Sequence, residues 1–495
     1  MELFLFDNDC KYAVEQIMLM LFPEERPVYP DAPSGGDMAQ VRFFRGRVRD
    51  TAVCRLCLGG AQYTGRASVD RSGYTDALTQ KRLEQRIIKL SFYRAGILAL
   101  GEKPVWGALS GIRPGKLMSR LIESGKSDAA ALREFVRLYD TSDERARLCL
   151  DTAHASISAA ASLGENDVCL YVGIPFCPTR CAYCSFVSQS VEKSMKLMDP
   201  FFDALLRDVE ATGRVFRENG LRAVSVYFGG GTPTTLPEDK LDRLCTALEK
   251  SFGLSEVREF TVEAGRPDTI TEEKLRVLRS HGATRISVNP QTMSDAVLEA
   301  IGRRHTASDV VKALELVRGC GGFDVNMDLI AGLPQDTPES FGNSLSRVLE
   351  LEPENVTVHT LALKKGSRIT LEGTALPTPR QVGEMLDGAW SALREAGYSP
   401  YYLYRQKFMS GGFENVGWAK KGHESLYNIC IMEELRSILA MGGGASTKLV
   451  APGGRIERVF APKYPLEYIQ RADKVCGDKV KISKFYSEIK KQQEA

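Results

Sequence analysis

Three cysteines, Cys177, Cys181 and Cys184, lie close together at C-x3-C-x2-C spacing. They directly follow residues 169–174, an apolar run typical of a buried strand. A structural zinc site has four ligands, so three thiolates do not complete one. The spacing also differs from the C-x2-C-x2-C run of bacterial ferredoxins. It therefore indicates either a four-iron cluster with one iron open to a further ligand, or three half-buried loop cysteines.

Length and composition limit what these cysteines can serve. The 495 residues, 43% hydrophobic and 26% charged, are typical of a soluble globular protein of two or three domains. A net charge of +2 gives no reason to expect a nucleic-acid partner, and no apolar run is long enough to predict a membrane span. Residues 1–10 lack the pattern of a secretory signal, so we expect the chain to stay in the cytoplasm. Its twelve cysteines should then bind metal or stay reduced.

From about residue 168, short apolar runs alternate with amphipathic stretches that have helical spacing. The predicted strands are 169–174, 223–228, 259–263, 285–289, 324–330 and 356–361. Six such β/α units predict an α/β fold whose parallel sheet is covered by helices. They are fewer than the eight of a closed barrel, so an open doubly wound sheet and a partial barrel both fit. In either fold, ligands bind at the carboxyl ends of the strands.

Polar or glycine-rich segments occur at that end of five predicted strands. In strand order they are the cysteine loop, Gly-Gly-Gly-Thr-Pro at 229–233, Glu263, the stretches 289–293 and 302–306, and Asp328 followed by Gly-Leu-Pro at 332–334. Glycines let a backbone approach a ligand closely, and carboxylates accept hydrogen bonds from a ribose diol or an ammonium group. Each segment alone is a common turn or surface charge. Five at one edge of a sheet indicate a binding site.

The regions on either side of the β/α segment have different patterns, and we predict three domains. Residues 1–165 combine strand-like alternation with helical stretches and form an α+β accessory domain. Residues 166–397 form the β/α core, and residues 398–495, where the β/α rhythm is lost, form a C-terminal domain. Cys54 and Cys57 make a C-x2-C pair in a strand-like run, but no second pair lies nearby, so a core role is favoured over metal binding.

These motifs together resemble a known family. The three cysteines, with Tyr183 before the last, resemble the cluster motif of radical S-adenosylmethionine (radical SAM) proteins. The triple-glycine segment, Glu263, Asp-Leu-Ile-x-Gly-Leu-Pro at 328–334 and Gly-Arg-x-His at 302–305 resemble the oxygen-independent coproporphyrinogen III dehydrogenase family. Residues 106–114 (Trp-Gly-Ala-Leu-Ser-Gly-Ile-Arg-Pro) and 402–407 (Tyr-Leu-Tyr-Arg-Gln-Lys) resemble its HemZ-like branch.

The resemblance implies a partial (β/α)6 radical SAM barrel with an N-terminal α+β domain and a C-terminal extension. It implies a [4Fe-4S] cluster on Cys177, Cys181 and Cys184, with S-adenosylmethionine (SAM) completing the coordination of the fourth iron. It assigns no catalytic residue beyond the cluster and cofactor. By motif, the residues that would bind SAM are Tyr171, Tyr183, Gly230, Gly231, Thr232, Glu263, Gln291, Arg303, Asp328 and Ala362.

The implied function is oxidative decarboxylation of coproporphyrinogen III to protoporphyrinogen IX in haem biosynthesis, driven by a donor such as flavodoxin or ferredoxin. One departure keeps alternatives open: Phe186 stands where the bacterial enzymes that define the family carry a fourth, non-ligating cysteine. A branch with phenylalanine there resembles haem chaperones, for which His359 and His423 are candidate axial ligands. A radical SAM enzyme that opens the haem ring is the other alternative.

Overall fold

The computed structural model describes residues 1–111, 113–184, 189–190, 194–362, 367–406 and 410–494. The chain forms two compact units, Met1–Leu150 and Asp151–Ala495. In these described ranges, no helix combines the length and the apolar character needed to cross a membrane. The division into three domains stays a prediction.

The first unit contains a four-stranded sheet and five helices within the described ranges. The strands are adjacent in chain order: β1 (Glu2–Phe6), β2 (Met38–Phe44), β3 (Arg49–Leu58) and β4 (Ala61–Asp70), with only β1 and β2 parallel. The helices are α1 (Lys11–Leu21), α2 (Ala77–Leu100), α3 (Gly115–Glu123), α4 (Asp128–Tyr139) and α5 (Asp143–Ala161), which continues into the second unit. Side chains alternate along β3, so Cys54 is buried and Cys57 points to the other face. The two thiols therefore cannot bind one metal ion.

The second unit contains all six predicted strands. In chain order its strands are β5 (Asp167–Ile174), β6 (Phe176–Cys177), β7 (Gln189–Ser190), β8 (Arg222–Gly230), β9 (Glu259–Glu263), β10 (Arg285–Ser287), β11 (Asp324–Ala331), β12 (Asn355–Thr360), β13 (Ser399–Arg405), β14 (Glu414–Ala419), β15 (Ile438–Gly442), β16 (Ser446–Val450) and β17 (Ile456–Phe460). β5, β8, β9, β10, β11 and β12 are neighbours in that order and parallel, as predicted. β6 and β7 form a separate short pair.

Helices connect these strands, and several begin at a threonine cap. They are α6 (Met198–Glu218), α7 (Glu238–Phe252), α8 (Glu272–Ser280), α9 (Asp295–Ala300), α10 (Ala307–Cys320), α11 (Pro338–Glu350), α12 (Arg368–Glu372), α13 (Pro379–Glu395), α14 (Leu426–Glu433), α15 (Pro465–Gln470), α16 (Ala472–Asp478) and α17 (Val480–Glu494). The side chains of Thr271, Thr306, Thr337 and Thr378 each accept a hydrogen bond from a backbone N–H in the first turn. These caps set where the helices begin.

The C-terminal extension adds to both edges of the sheet. β14 and β13 join antiparallel beyond β12, while β15 lies parallel to β5 and is followed by antiparallel β16 and β17. β15 is a seventh parallel strand, which the loss of β/α rhythm after residue 398 did not predict. The outermost described strands, β13 and β17, do not pair with each other. The sheet is therefore open, and the predicted α/β class with an N-terminal α+β unit and a C-terminal extension is confirmed.

A buried carboxylate places α14 at the amino-terminal end of the parallel strands. Glu259, at the start of β9, accepts hydrogen bonds from Ser425 Oγ (3.0 Å) and from the backbone N–H groups of Leu426 (2.6 Å) and Tyr427 (3.1 Å). It therefore caps the first turn of this helix, where a negative charge is favourable. We call the strand face that carries Glu259 the inner face. One turn of α14 lies against it.

A buried ion pair between Asp208 and Lys479 fixes the C-terminal segment of the chain to the rest of the second unit. The Asp208 carboxylate on α6 lies 2.7 Å from Lys479 Nζ and accepts hydrogen bonds from the Tyr468 hydroxyl (2.8 Å) and the Gly442 N–H (3.0 Å). Both charged groups are almost fully buried, so each depends on the other for compensation. These contacts hold the segment that contains α15, α16 and α17 against the end of β15. β15 lies beside β5, the strand that leads into the cysteine loop.

Candidate cofactor site

The cysteine loop begins where β5 ends and is held at several points along its length. Thr232 Oγ1 lies 3.5 Å from Cys177 Sγ, and the Cys184 N–H donates to the Cys181 carbonyl (3.1 Å). Between them, the Ala182 N–H donates to the carbonyl of Ile301 (2.9 Å). The three thiols are partly exposed. They are therefore positioned by backbone contacts while they remain accessible to a ligand.

The triple-glycine segment at the end of β8 packs its backbone directly on this loop. The Gly231 N–H donates to the Ile174 carbonyl (2.8 Å), and the Thr232 N–H donates to the Phe176 carbonyl (2.7 Å). A Cβ at Gly231 would lie 2.4 Å from the Phe176 carbonyl oxygen, and Gly230 has a φ of +105°. Both positions therefore require glycine, for close approach and for backbone conformation respectively.

Two buried arginines lie behind the cysteine loop. Arg266 Nη1 is 3.0 Å from Thr179 Oγ1 and 3.8 Å from Cys181 Sγ. Arg303 donates to the carbonyl of Asn289 (2.7 Å) and to the hydroxyl of Tyr183 (3.2 Å). Both guanidinium groups thus place positive charge close to the cysteine loop, and the cysteine ligands of an iron–sulfur cluster are thiolates. Sequence analysis missed Arg266, although it stands in the Glu-Ala-Gly-Arg-Pro segment that follows Glu263.

Two carboxylates lie on the inner face, toward the carboxyl ends of the strands. Glu263 on β9 accepts a hydrogen bond from the Tyr227 hydroxyl (2.5 Å). Burial, together with the nearby Asp328 charge, raises the pKa of Glu263 to about 7. Burial also acts to raise the pKa of Asp328, but hydrogen bonding and charge from His359 outweigh it, so that pKa is lowered. The pKa values of the two carboxyl groups are therefore shifted in opposite directions, that of Glu263 upward and that of Asp328 downward.

Aromatic rings complete this part of the inner face. Tyr171 on β5 stacks on Tyr227 at a centroid distance of 6.2 Å, and Tyr427 of α14 stacks on Tyr227 at 4.3 Å. Burial raises the pKa of all three phenols, so they are neutral at physiological pH. The stacked rings of these three tyrosines form an apolar surface on the inner face, which we call the tyrosine floor. Tyr227 and Tyr427 were not predicted, although the strand period places Tyr227 on the same face as its neighbour Tyr171.

The predicted cofactor residues lie in two neighbouring groups. Tyr183, Gly230, Gly231, Thr232 and Arg303 surround the cysteine loop. Tyr171, Glu263, Gln291 and Asp328 lie on or beside the inner face, where the Gln291 N–H donates to the Asp328 carbonyl (2.8 Å) with a left-handed backbone at Gln291 (φ +67°). Ala362 follows the end of β12. Phe186 lies outside the described residues. Each residue's role in binding SAM stays a prediction.

The donor set suits an iron–sulfur cluster better than a single ion. Within the described ranges, no three His, Cys, Asp or Glu side chains come close enough to share one metal ion. Thiolates on a four-iron cluster each bind a different iron, so their sulfur atoms stay further apart than the ligands of one zinc. Three accessible thiols on one loop, with guanidinium groups behind them, fit such a cluster.

Comparisons with known proteins agree with this geometry. Residues 171–348 match the radical SAM superfamily. The chain is 39% identical over 394 residues to the oxygen-independent coproporphyrinogen-III oxidase-like protein HemZ of Bacillus subtilis, covering 78% of this chain and 79% of that protein. It is 28% identical over 303 residues to the haem chaperone HemW of Haemophilus influenzae, covering 61% and 75% of the two chains.

A solved structure gives the same fold. The coproporphyrinogen III oxidase HemN of Escherichia coli, described as a radical SAM enzyme, aligns with a TM-score of 0.51 at 25% identity, over 65% of this chain and 72% of that one. This confirms the partial radical SAM barrel, whose interior is the inner face described above. The cofactors predicted from the cysteine loop, a [4Fe-4S] cluster and SAM, are those that this superfamily uses. The chain therefore belongs to the radical SAM superfamily, in the oxygen-independent coproporphyrinogen III oxidase family that includes HemZ.

Proposed function

We propose that this protein is a radical SAM oxidoreductase that converts coproporphyrinogen III to protoporphyrinogen IX without oxygen. The observation that carries the proposal is that the triple-glycine segment packs on the cysteine loop on one side and lies beside the Glu263 carboxyl on the other. The names of two relatives support the substrate class: HemN is named a coproporphyrinogen III oxidase, and HemZ a coproporphyrinogen-III oxidase-like protein.

The chain's own residues bind and orient the cofactors. Cys177, Cys181 and Cys184 would bind the cluster, with the Arg266 guanidinium 3.8 Å from the Cys181 sulfur. When bound and reduced, the cluster and SAM supply a 5′-deoxyadenosyl radical that can take a hydrogen atom from a substrate propionate. Loss of CO2 from the resulting propionate radical, with transfer of one electron to an external one-electron acceptor, would then leave a vinyl group.

The barrel interior would hold the polar groups of SAM. The Glu263 and Asp328 carboxyls face the same space as the tyrosine floor, and both accept hydrogen bonds. Carboxylates of this kind bind ribose hydroxyls or an ammonium group. Backbone at Gly230 and Gly231 would meet the methionine end of SAM, and the lack of a side chain at Gly231 lets this segment pack on the Phe176 backbone beside the cysteines. These groups position the cofactor and exclude water from it.

The test is anaerobic incubation of the reconstituted protein with SAM, a reductant and coproporphyrinogen III. We expect CO2 release and a product lighter by two carboxyl groups and their accompanying hydrogens, with 5′-deoxyadenosine formed alongside. A Cys181→Ser variant is the matched control and should yield neither product. Formation of 5′-deoxyadenosine without any porphyrinogen turnover would contradict the proposal. Mass analysis of the same reaction with haem would detect ring opening instead.

A haem-binding chaperone is the second candidate function, favoured by the similarity to HemW. The two candidate axial ligands do not support it. His359 lies 3.6 Å from the Asp328 carboxylate near the carboxyl end of β12, and His423 lies 3.0 Å from Asp324. The His423 carbonyl accepts a hydrogen bond from Asn355, at the start of the same strand. Four residues of strand separate Asn355 from His359, about 13 Å at roughly 3.3 Å per residue. The two imidazoles therefore cannot bind one iron from both sides.

The two functions differ in a simple titration. Anaerobic addition of haem to the purified protein should show no one-to-one binding if the protein is an enzyme on coproporphyrinogen III. Stoichiometric binding with a shifted absorption band, together with no CO2 release, would favour the chaperone. A variant with both His359→Leu and His423→Leu would then show whether either residue is a ligand.

A further inference from the structure

His359 occupies an unexpected place in the barrel interior. It lies on β12, next to β11, and its Nε2 is 3.6 Å from Asp328 Oδ2. The side chains of His359 and Asp328 are 27% and 17% exposed, so both still border the open interior. The predicted cofactor set includes Asp328 but not this histidine. Its role is therefore open.

The two oxygens of the Asp328 carboxylate face different partners. Asp328 Oδ1 accepts a hydrogen bond from Asn326 Nδ2 (2.8 Å), and Asn326 Oδ1 in turn accepts one from Thr357 Oγ1 (3.0 Å). Oδ2 faces the imidazole of His359. A neutral amide thus orients one oxygen, and a group that can carry charge lies against the other. This arrangement leaves the carboxylate little freedom to turn.

The groups around the imidazole explain its charge. Asp328 on β11, Glu263 on β9 and Asn415 on β14 face it from three different strands. Burial lowers the pKa of His359, but hydrogen bonding and charge from Asp328 outweigh burial and raise it. The pKa of Asp328 is lowered in turn, mainly through His359. The phenols of Tyr402 and Tyr404 lie on the same side, and Asp328 helps to keep them neutral.

We propose that His359 is a positioning residue for Asp328, which it orients and holds in the ionised form for a hydroxyl or ammonium donor in the barrel. The ligand part of this inference rests on the proposed function, in which Asp328 contacts SAM. A buried carboxylate without a cation beside it tends to take up a proton. Protonation would turn one oxygen of Asp328 into a hydrogen-bond donor. That oxygen could then no longer serve as the acceptor for a hydroxyl or ammonium donor of the ligand.

The ion pair is tested in the cofactor-free protein. The chain has five histidines, so histidine-labelled protein gives a simple NMR spectrum in which His359→Gln identifies the His359 signal. We expect the His359 signal to titrate above the usual histidine pKa in the wild type and below it in Asp328→Asn. His281, which pairs with Asp242 and Glu249 on the surface, is the internal control and should not move. A His359 titration that Asp328→Asn leaves unchanged would overturn the proposal.

The positioning role is tested by SAM affinity in the reconstituted protein, measured by anaerobic equilibrium dialysis. His359→Leu removes the imidazole and its charge from beside Asp328 and should weaken SAM binding severalfold, the loss expected for a partly exposed ion pair. His359→Gln keeps a donor without the charge and should lose less. In an Asp328→Asn background, His359→Leu should have little further effect, because the residue acts through Asp328.

The outcomes separate this inference from the proposed function. Equal SAM affinity in His359→Leu and wild type would overturn the positioning role, even if turnover of coproporphyrinogen III is observed. A full loss from His359→Leu in the Asp328→Asn background would also overturn it, since His359 would then act by itself. If the wild type fails to bind SAM, the proposed function fails, while the NMR titration still decides whether the ion pair exists. Far-UV circular dichroism checks that each variant is folded.

Discussion

Glu263 is expected to reduce the stability of the cofactor-free protein as pH rises. Burial raises its pKa from 4.5 to about 7, which corresponds to about 3 kcal/mol at roughly 1.4 kcal/mol per pH unit. The folded protein holds this proton more tightly than the unfolded chain does. The free energy of unfolding should therefore fall between pH 4.5 and 7 by about 3 kcal/mol from this group alone. Above pH 7 its contribution should be constant.

Glu263→Gln removes this dependence with little change in shape. Glutamine is neutral at every pH, and its carbonyl oxygen can still accept the Tyr227 hydroxyl hydrogen bond. The variant should match the wild type near pH 4.5, apart from a constant offset, and gain about 3 kcal/mol over it by pH 8. The effect should be smaller in an Asp328→Asn background, because the Asp328 charge contributes to the raised pKa.

Urea unfolding of the cofactor-free protein from pH 4.5 to 8 measures this difference. Trp390 and Trp418 are both buried in the second unit, whereas Trp106 is buried in the first. A Trp106→Phe background therefore restricts tryptophan fluorescence to the unit that contains Glu263. A difference between Glu263→Gln and wild type that is constant with pH would refute the reasoning. A wild type that gains stability over the variant as pH rises would also refute it.

Three further predictions concern other parts of the structure. Gly231→Ala should reduce iron retention severalfold after reconstitution, because its methyl group would lie 2.4 Å from the Phe176 carbonyl oxygen; unchanged iron content in a folded variant would contradict this. Lys479→Met should destabilise the protein by about 3–5 kcal/mol in urea unfolding, since Asp208 would stay buried without its cation. Adding Asp208→Asn should recover part of that loss. Glu259→Gln should speed hydrogen exchange in the helix that it caps, with an expected loss of roughly 2 kcal/mol; unchanged exchange would contradict the cap.

Local patterns account for what the sequence predicted well. Each of the six predicted strands is a short apolar run, and its bounds in the structure lie within two residues of those predicted. The cysteine loop was recognisable because its three ligands lie within eight residues of one another. Contacts of this kind are set by neighbours in the chain, so a single sequence reveals them.

Pairings between distant segments could not be predicted in the same way. β15 is as apolar as the other strands, but its place beside β5 depends on residues far away in the chain. Likewise, His359 was considered only as a candidate haem ligand, because its partner Asp328 lies on the neighbouring strand. The strand period shows which face a side chain occupies but not what lies opposite. Register and strand order supply that information, and they follow from tertiary packing.

The central claim is that Cys177, Cys181 and Cys184 bind a four-iron cluster with one iron open to SAM. It is tested most directly by the electron paramagnetic resonance spectrum of the reconstituted, reduced protein with and without SAM. The account predicts about four irons per chain, a cluster signal that changes on addition of SAM, and loss of that signal in Cys181→Ser. A cluster signal that SAM leaves unchanged, or one that persists in Cys181→Ser, would contradict the account.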